Sequence, residues 1–153
     1  MIETPEILDI DEQPTAVVHL KVARDAIQGV MGPAIEEVLT VLSSQGIATT
    51  GPLFDHHLLM DPTTFDFDVG FPVATTVEPE GRVIPAALPG GRVVRTVYHG
   101  AYEGLGDAWG EFDAWLAAND VRHSDELWER FIAGPESSKD PTDWRTELVR
   151  PLA

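Results

Sequence analysis

Asp61-Pro62-Thr63-Thr64-Phe65-Asp66-Phe67-Asp68-Val69-Gly70-Phe71-Pro72-Val73 can be laid over Asp140-Pro141-Thr142-Asp143-Trp144-Arg145-Thr146-Glu147-Leu148-Val149-Arg150-Pro151-Leu152, 79 residues further along. Asp, Pro, Thr and the second Pro are identical. Phe65/Trp144, Asp68/Glu147, Val69/Leu148 and Val73/Leu152 replace like with like. Upstream, Ala34, Glu37, Leu42 and Ile47 meet Ala108, Glu111, Leu116 and Val121 at an offset of 74, and Val17-Val18 meets Val93-Val94 at 76. Order is kept and the offsets drift only by small insertions, which is the pattern of an old internal duplication.

Each half reads as strand, helix, strand, strand. In the first, Ala16 to Val22 is a β-branched, partly alternating run. Ile27, Met31, Ile35, Val38 and Leu42 then recur at helical spacing. Proline prefers a first turn, so the regular helix is expected to begin near Pro33 and to stop at the C-cap glycine Gly46. Strands near 52–60 and 65–73 follow, joined by an Asp61-Pro62 turn. The second half opens with strands around Arg82–Pro85 and Arg92–His99. A helix with the apolar stripe Leu105, Ala108, Trp109, Phe112 and Leu116 ends near Asn119, and strands near 126–133 and 144–150 complete it. The linker is short, about Thr76 to Gly81. The expectation is therefore one domain over 1–153, made of repeats at about 1–77 and 78–153. Neither repeat alone buries much core, so the two should pack as one body about a pseudo-twofold axis.

Composition narrows the function classes. The 153 residues carry 26 acidic side chains against 10 Lys and Arg, a formal charge of −16. That surface repels a phosphate backbone and an anionic membrane, so direct nucleic-acid and membrane binding are not expected. Organic cations are its natural counterparts. The chain has no cysteine, which removes disulfides, thiolate nucleophiles and Cys-based metal sites. No apolar run approaches the ~20 residues of a membrane-spanning helix, and the acidic N-terminal stretch is unlike a secretory signal, so a cytoplasmic location is expected. No cofactor is implied, and no metal: adjacent strand residues such as His56 and His57 point to opposite faces and cannot chelate one ion.

The offset of 74 also superposes Phe54-Asp55-His56-His57 on Trp128-Glu129-Arg130-Phe131. Each is a strand with a large aromatic, then a carboxylate, then a ring three residues after the first. Alternation puts Glu129 and Phe131 on one face, and Trp128 and Arg130 on the other. A carboxylate beside a ring is a trap for an organic cation, since ring faces attract cations by about 0.5–2 kcal/mol when desolvated. Asp55, the partner of Glu129 in the first half, is expected to be an exposed remnant. On the second helix, Trp109 and Phe112 fit the core stripe, while Trp115 sits at its edge and could reach a groove. Tyr98 and Tyr102 bracket the turn into that helix, where one can line a pocket. Trp144 is expected in the core.

These stretches resemble the GyrI-like small-molecule-binding domains, which also serve as effector-binding domains of AraC-type and multidrug-responsive regulators. The resemblance runs through Gly51-Pro52-Leu53-Phe54, Asp68 to Val73, Leu88-Pro89-Gly90-Gly91-Arg92-Val93-Val94 and His99-Gly100-Ala101-Tyr102-Glu103-Gly104-Leu105. It continues through Leu127-Trp128-Glu129-Arg130-Phe131 and Trp144 to Leu152. It implies an α+β fold of two tandem β-α-β-β modules, with two antiparallel sheets and a ligand groove between the modules. It also implies that bulky hydrophobic, cationic or aromatic compounds bind there, with Glu129 as the ligand-facing acid. Trp128, Phe131, Tyr102, Phe54, His57 and Trp115 are then the candidate walls. Phe131 and His57 stand where relatives often carry Tyr, so a phenolic hydrogen bond is missing at both places.

Some stand-alone members hydrolyse cyclopropane-containing genotoxic compounds, with a pocket acid positioning water. On that alternative Glu129 is the catalytic residue of a cofactor-free hydrolase. A further branch acts as a protein-interaction module that inhibits a cellular enzyme. The sequence leaves these uses open.

Overall fold

The expected strand at Ala16–Val22 is the middle of a longer one. In the computed structural model, which describes residues 2–60 and 62–153, β2 runs from Gln13 to Ala23. The remaining strands are β1 (Glu6–Ile10), β3 (Phe54–Met60), β4 (Thr64–Pro72), β5 (Val83–Leu88), β6 (Gly91–His99), β7 (Leu127–Ala133) and β8 (Arg145–Pro151). The helices are α1 (Ile27–Gln45) and α2 (Leu105–Ala118). The fold is thus α+β, mostly antiparallel strand with two helices. Asp61 of the expected Asp61-Pro62 turn lies outside the described residues. Among the described residues no helix is long and apolar enough to cross a membrane.

The chain divides into two compact units. The first is the contiguous stretch Asp11–Gly90, whose strands neighbour one another in the order β3-β4-β2-β5, every pair antiparallel. Period-two alternation sends Ala16, Val18 and Leu20 of β2 and Phe67 and Val69 of β4 to one side. They are buried there against Ala34, Val38, Val41 and Leu42 of α1. On the other side, β2 and β4 run so close at Gly70 that a Cβ would stand 1.9 Å from the Ala16 carbonyl oxygen. Only glycine fits.

Helix α1 begins six residues before the expected start, and Pro33 lies inside it. A proline there forfeits one backbone hydrogen bond. The turn nevertheless continues because Ile27, Val30 and Met31 pack against the core, so tertiary burial overrides the local preference. The stop is as expected: Gly46 takes the left-handed conformation at φ 67°, and its N–H reaches back to Leu42 and Ser43 carbonyls.

The second unit joins the residues up to Ile10 with Gly91–Ala153. Its strands neighbour one another as β1-β6-β8-β7, again antiparallel. Ala108, Phe112 and Leu116 form the buried stripe of α2 and meet Val94, Tyr98 and Leu148. Strand β1 escapes an apolar-pattern search because Glu-Ile-Leu-Asp-Ile is only partly apolar. It is held by pairing with β6, where Glu6 stands opposite Arg95 and Asp9 opposite Arg92. A ladder of alternating charge runs across this unit: Glu6 takes Arg95 Nε at 2.8 Å, Arg95 reaches Glu147 at 2.9 Å, and Glu147 takes Arg130 at 3.1 Å.

Both units carry the same irregularity. The register of β3 on β4 shifts between His57 and Leu59, and that of β7 on β8 between Phe131 and Ala133. Such bulges turn one residue out of the ladder. The residues so displaced, Leu58 and Ile132, are 50% and 48% exposed.

Candidate ligand site

Directly opposed residues of an antiparallel pair share a face. Glu129 stands opposite Leu148, and Phe131 opposite Thr146, whereas Trp128 stands opposite Val149 and Arg130 opposite Glu147. Leu148 belongs to the core under α2. Glu129 and Phe131 therefore face the helix, and Trp128 faces away from it. Glu129 is only 9% exposed. A carboxylate so buried needs donors, and α2 supplies one: Trp109 Nε1–H donates to Glu129 Oε2 at 2.8 Å. Trp109 packs against the α2 core as expected, and its indole N–H also reaches the acid.

The same indole is stacked by a cation. The guanidinium of Arg150 lies 5.2 Å from the Trp109 ring centroid and is held by Asp113 through Nε at 3.1 Å and Nη2 at 3.3 Å. Phe112 packs against Trp109 with ring centroids 5.7 Å apart.

A group of rings completes the arrangement. Tyr102, in the short turn that enters α2, meets Phe131 edge-on at 5.7 Å and Trp144 at 5.0 Å. Trp144, expected in the core, is half-buried in this group and donates its indole N–H to the Ser138 carbonyl at 2.9 Å. Tyr102 is 37% exposed. Burial first, and then the charge of Glu136, push its phenol above the ordinary tyrosine value. Tyr98 contributes packing only, its hydroxyl donating to the Ala101 carbonyl at 2.8 Å. The unit therefore places one anchored carboxylate on the strand face that also carries Phe131, beside Tyr102 and Trp144.

Trp115 is elsewhere. It packs at the edge of the α2 core and lines a shallow concavity of about 370 Å³ with Ile2, Glu3, Thr4, Pro5 and Glu111.

In the unit Asp11–Gly90, β3 presents the corresponding pattern. Asp55 stands opposite Val69 and His57 opposite Phe67, so both face α1, while Phe54, opposite Gly70, faces away and is buried. His57 stacks on Phe67 at 4.8 Å and meets Phe65 edge-on at 5.5 Å. Arg24 covers the Phe65 ring at 4.5 Å. The exposed remnant expected at Asp55 is corrected: the residue is 4% exposed, and its Oδ1 lies 3.5 Å from His57 Nε2. Alternation along β3 turns it to the face of Val69 and Phe67, away from the exposed edge expected of it.

The profile of the GyrI-like small molecule binding domain matches residues 3–153. No curated protein sequence is significantly similar to the chain. Among solved structures, the C-terminal domain of EcmrR superposes with a TM-score of 0.84 at 18% identity, over 98% of this chain and 97% of that one. The EcmrR chain in its DNA complex superposes at 0.83 and 18% identity, covering 99% of this chain; the present chain spans only 57% of it. SAV2435 bound to tetraphenylphosphonium gives 0.72 at 8% identity over 99% and 94%. A Listeria innocua hydrolase encoded by lin2189 gives 0.63 at 15% identity over 97% and 91%. At these identities the likeness is one of fold.

Proposed function

The chain belongs to the GyrI-like small molecule binding domain family, and from that premise we propose that it binds bulky hydrophobic cations, with Glu129 as their charge partner. The observation that carries the reading is the 9%-exposed carboxylate of Glu129, anchored by Trp109 on the strand face that bears Phe131. Burial strengthens a carboxylate's pull on a lipophilic cation, because neither partner then keeps a full hydration shell. Phe131 and Tyr102 supply ring faces and edges for the ligand's own aromatic groups. The fold likeness to SAV2435, seen with tetraphenylphosphonium, supports the same class of ligand. The groove implied by the family resemblance is part of this proposal, with His57 as a further candidate wall; Trp128 and Phe54 face away and are buried, and Trp115 lines a separate concavity.

We propose likewise that the chain arose by internal duplication. Read from equivalent strands, both units have one neighbour order, β3-β4-β2-β5 and β7-β8-β6-β1. The bulges at Leu58 and Ile132 fall 74 positions apart, the offset that aligns Asp55 with Glu129. Two repeats at about 1–77 and 78–153 account for both if each lends its first strand to the other unit, since β1 belongs to the unit of Gly91–Ala153 and β5 to that of Asp11–Gly90.

The decisive experiment titrates tetraphenylphosphonium into the wild type and Glu129→Gln. Equal affinities would sink the assignment. A second reading, cofactor-free hydrolysis of a cyclopropane-bearing alkylator with Glu129 orienting water, is favoured by the near-burial of that acid and the fold likeness to the Listeria innocua hydrolase. Mass spectrometry separates the two: a product heavier by one water, formed at a protein-dependent rate, marks catalysis, and unaltered compound marks sequestration.

A further inference from the structure

We propose that Arg150 is a positioning residue for Glu129, acting through the indole of Trp109. The proposal rests on the reading of Glu129 as the ligand's charge partner, although its first test needs no ligand. Arg150 is 8% exposed, and a guanidinium is that buried only when paired. Its partner is Asp113, one turn along α2 from Trp109, which engages Nε and Nη2 together. A two-point grip on a planar fork fixes the plane of the guanidinium as well as its position.

The guanidinium carbon lies over the Trp109 ring, 5.2 Å from its centroid, while the edge of the same indole donates to Glu129 at 2.8 Å. Three contacts in series therefore lead from a carboxylate that is 46% exposed to one that is nearly buried. Each has a physical task. Asp113 sets the guanidinium, and the guanidinium restrains the indole from turning. A cation over a π face also draws ring electron density towards itself, which makes the N–H a stronger donor. Glu129 is thereby held in one orientation before any ligand arrives, and less of the binding energy goes into ordering it. This face of Trp109 is already occupied by the protein's own cation. Incoming ligand rings are left to Phe131 and Tyr102.

The chain has four tryptophans, so an amide NMR spectrum carries four indole N–H resonances, and Trp109→Phe identifies the one concerned. In the unliganded protein, Arg150→Met is expected to move the Trp109 indole proton upfield, as a lengthened hydrogen bond does. Arg150→Lys keeps a cation over the ring and should leave it near the wild-type position. Asp113→Asn should move it in the Met direction by less. An indole resonance that stays put in both Arg150→Met and Asp113→Asn overturns the proposal. Should Arg150→Met fail to fold, the half-exposed Asp113→Asn decides alone.

Tetraphenylphosphonium affinity is the second readout, expected to fall at least about threefold in Arg150→Met. It should fall no further when that change is added to Glu129→Gln, because the brace acts only through the acid. Undiminished affinity in Arg150→Met, or additive losses, count against it. If the wild type does not bind the phosphonium at all, the ligand reading fails while the indole shift still judges the brace.

Discussion

Trp109 and Glu129 are 20 positions apart in the chain, yet the indole nitrogen of one lies 2.8 Å from a carboxylate oxygen of the other. The part-buried bond joins helix α2 to strand β7. Trp109→Phe keeps the ring and deletes the donor. Hydrogen bonds to buried charges are costly to lose, so the variant should be less stable by about 1–3 kcal/mol in chemical denaturation. A midpoint equal to that of the wild type would show that the bond contributes nothing.

Glu129→Gln is close to isosteric and removes only the charge. Its affinity for tetraphenylphosphonium should drop about tenfold or more, which corresponds to 1.4 kcal/mol or above. The neutral triphenylphosphine oxide serves as the control and should bind the two proteins alike. Parallel losses for both compounds would point to altered packing in place of lost attraction.

Phe131→Leu retains much of the volume and abolishes the π face. The edge contact with Tyr102 at 5.7 Å goes with it. Binding of a lipophilic cation should weaken by about 0.5–2 kcal/mol, measured by calorimetric titration.

Tyr102 gives a pH signature. Burial is the larger cause of its raised phenol and Glu136 the smaller. An absorbance titration, taken as the difference between wild type and Tyr102→Phe, should place its ionisation above the usual tyrosine value. Glu136→Gln should bring it only part of the way back. The folded state resists the phenolate, so the associated stability is complete below the unfolded pKa and lost as pH rises through the folded one. Tyr102→Phe should accordingly lose less stability than the wild type on the alkaline side.

Two glycine substitutions should differ sharply. At Gly70 an added Cβ would meet the Ala16 carbonyl oxygen at 1.9 Å, and backbone cannot step aside as a side chain can. Gly70→Ala should cost about 3 kcal/mol or more, or prevent folding. At Gly46 a Cβ finds nothing within 4 Å, and the cost is only that of holding φ 67°. Gly46→Ala should lose about 1 kcal/mol. Thermal melts of the pair check both.

What could be read from the chain alone follows physical lines. The α2 stripe and the Gly46 stop were legible because periodicity and capping are local. So was the shared side of Glu129 and Phe131, since strand alternation needs no knowledge of the partner. Strand β1 was not, because its hold comes from Arg92 and Arg95, more than eighty residues away. The early start of α1 was hidden by Pro33, whose local cost is outweighed by core packing that only the fold reveals. Trp109 looked like a core ring since it lies in the apolar stripe; its N–H matters only once β7 brings a carboxylate to it. Asp55 looked solvated because acids usually are, and its burial depends on what packs against its face of β3, which the sequence does not show.

The pairing of β1 with β6 also sets an order of events. Asp11–Gly90 forms a compact unit from consecutive residues, so that stretch can condense as soon as it leaves the ribosome. Ile10 must wait for Gly91, its partner in the ladder, and Glu6 for Arg95. Strand β1 is thus kept idle while the whole intervening unit is made. Closing it demands one of the longest loops in the molecule, which makes its docking a slow step during maturation.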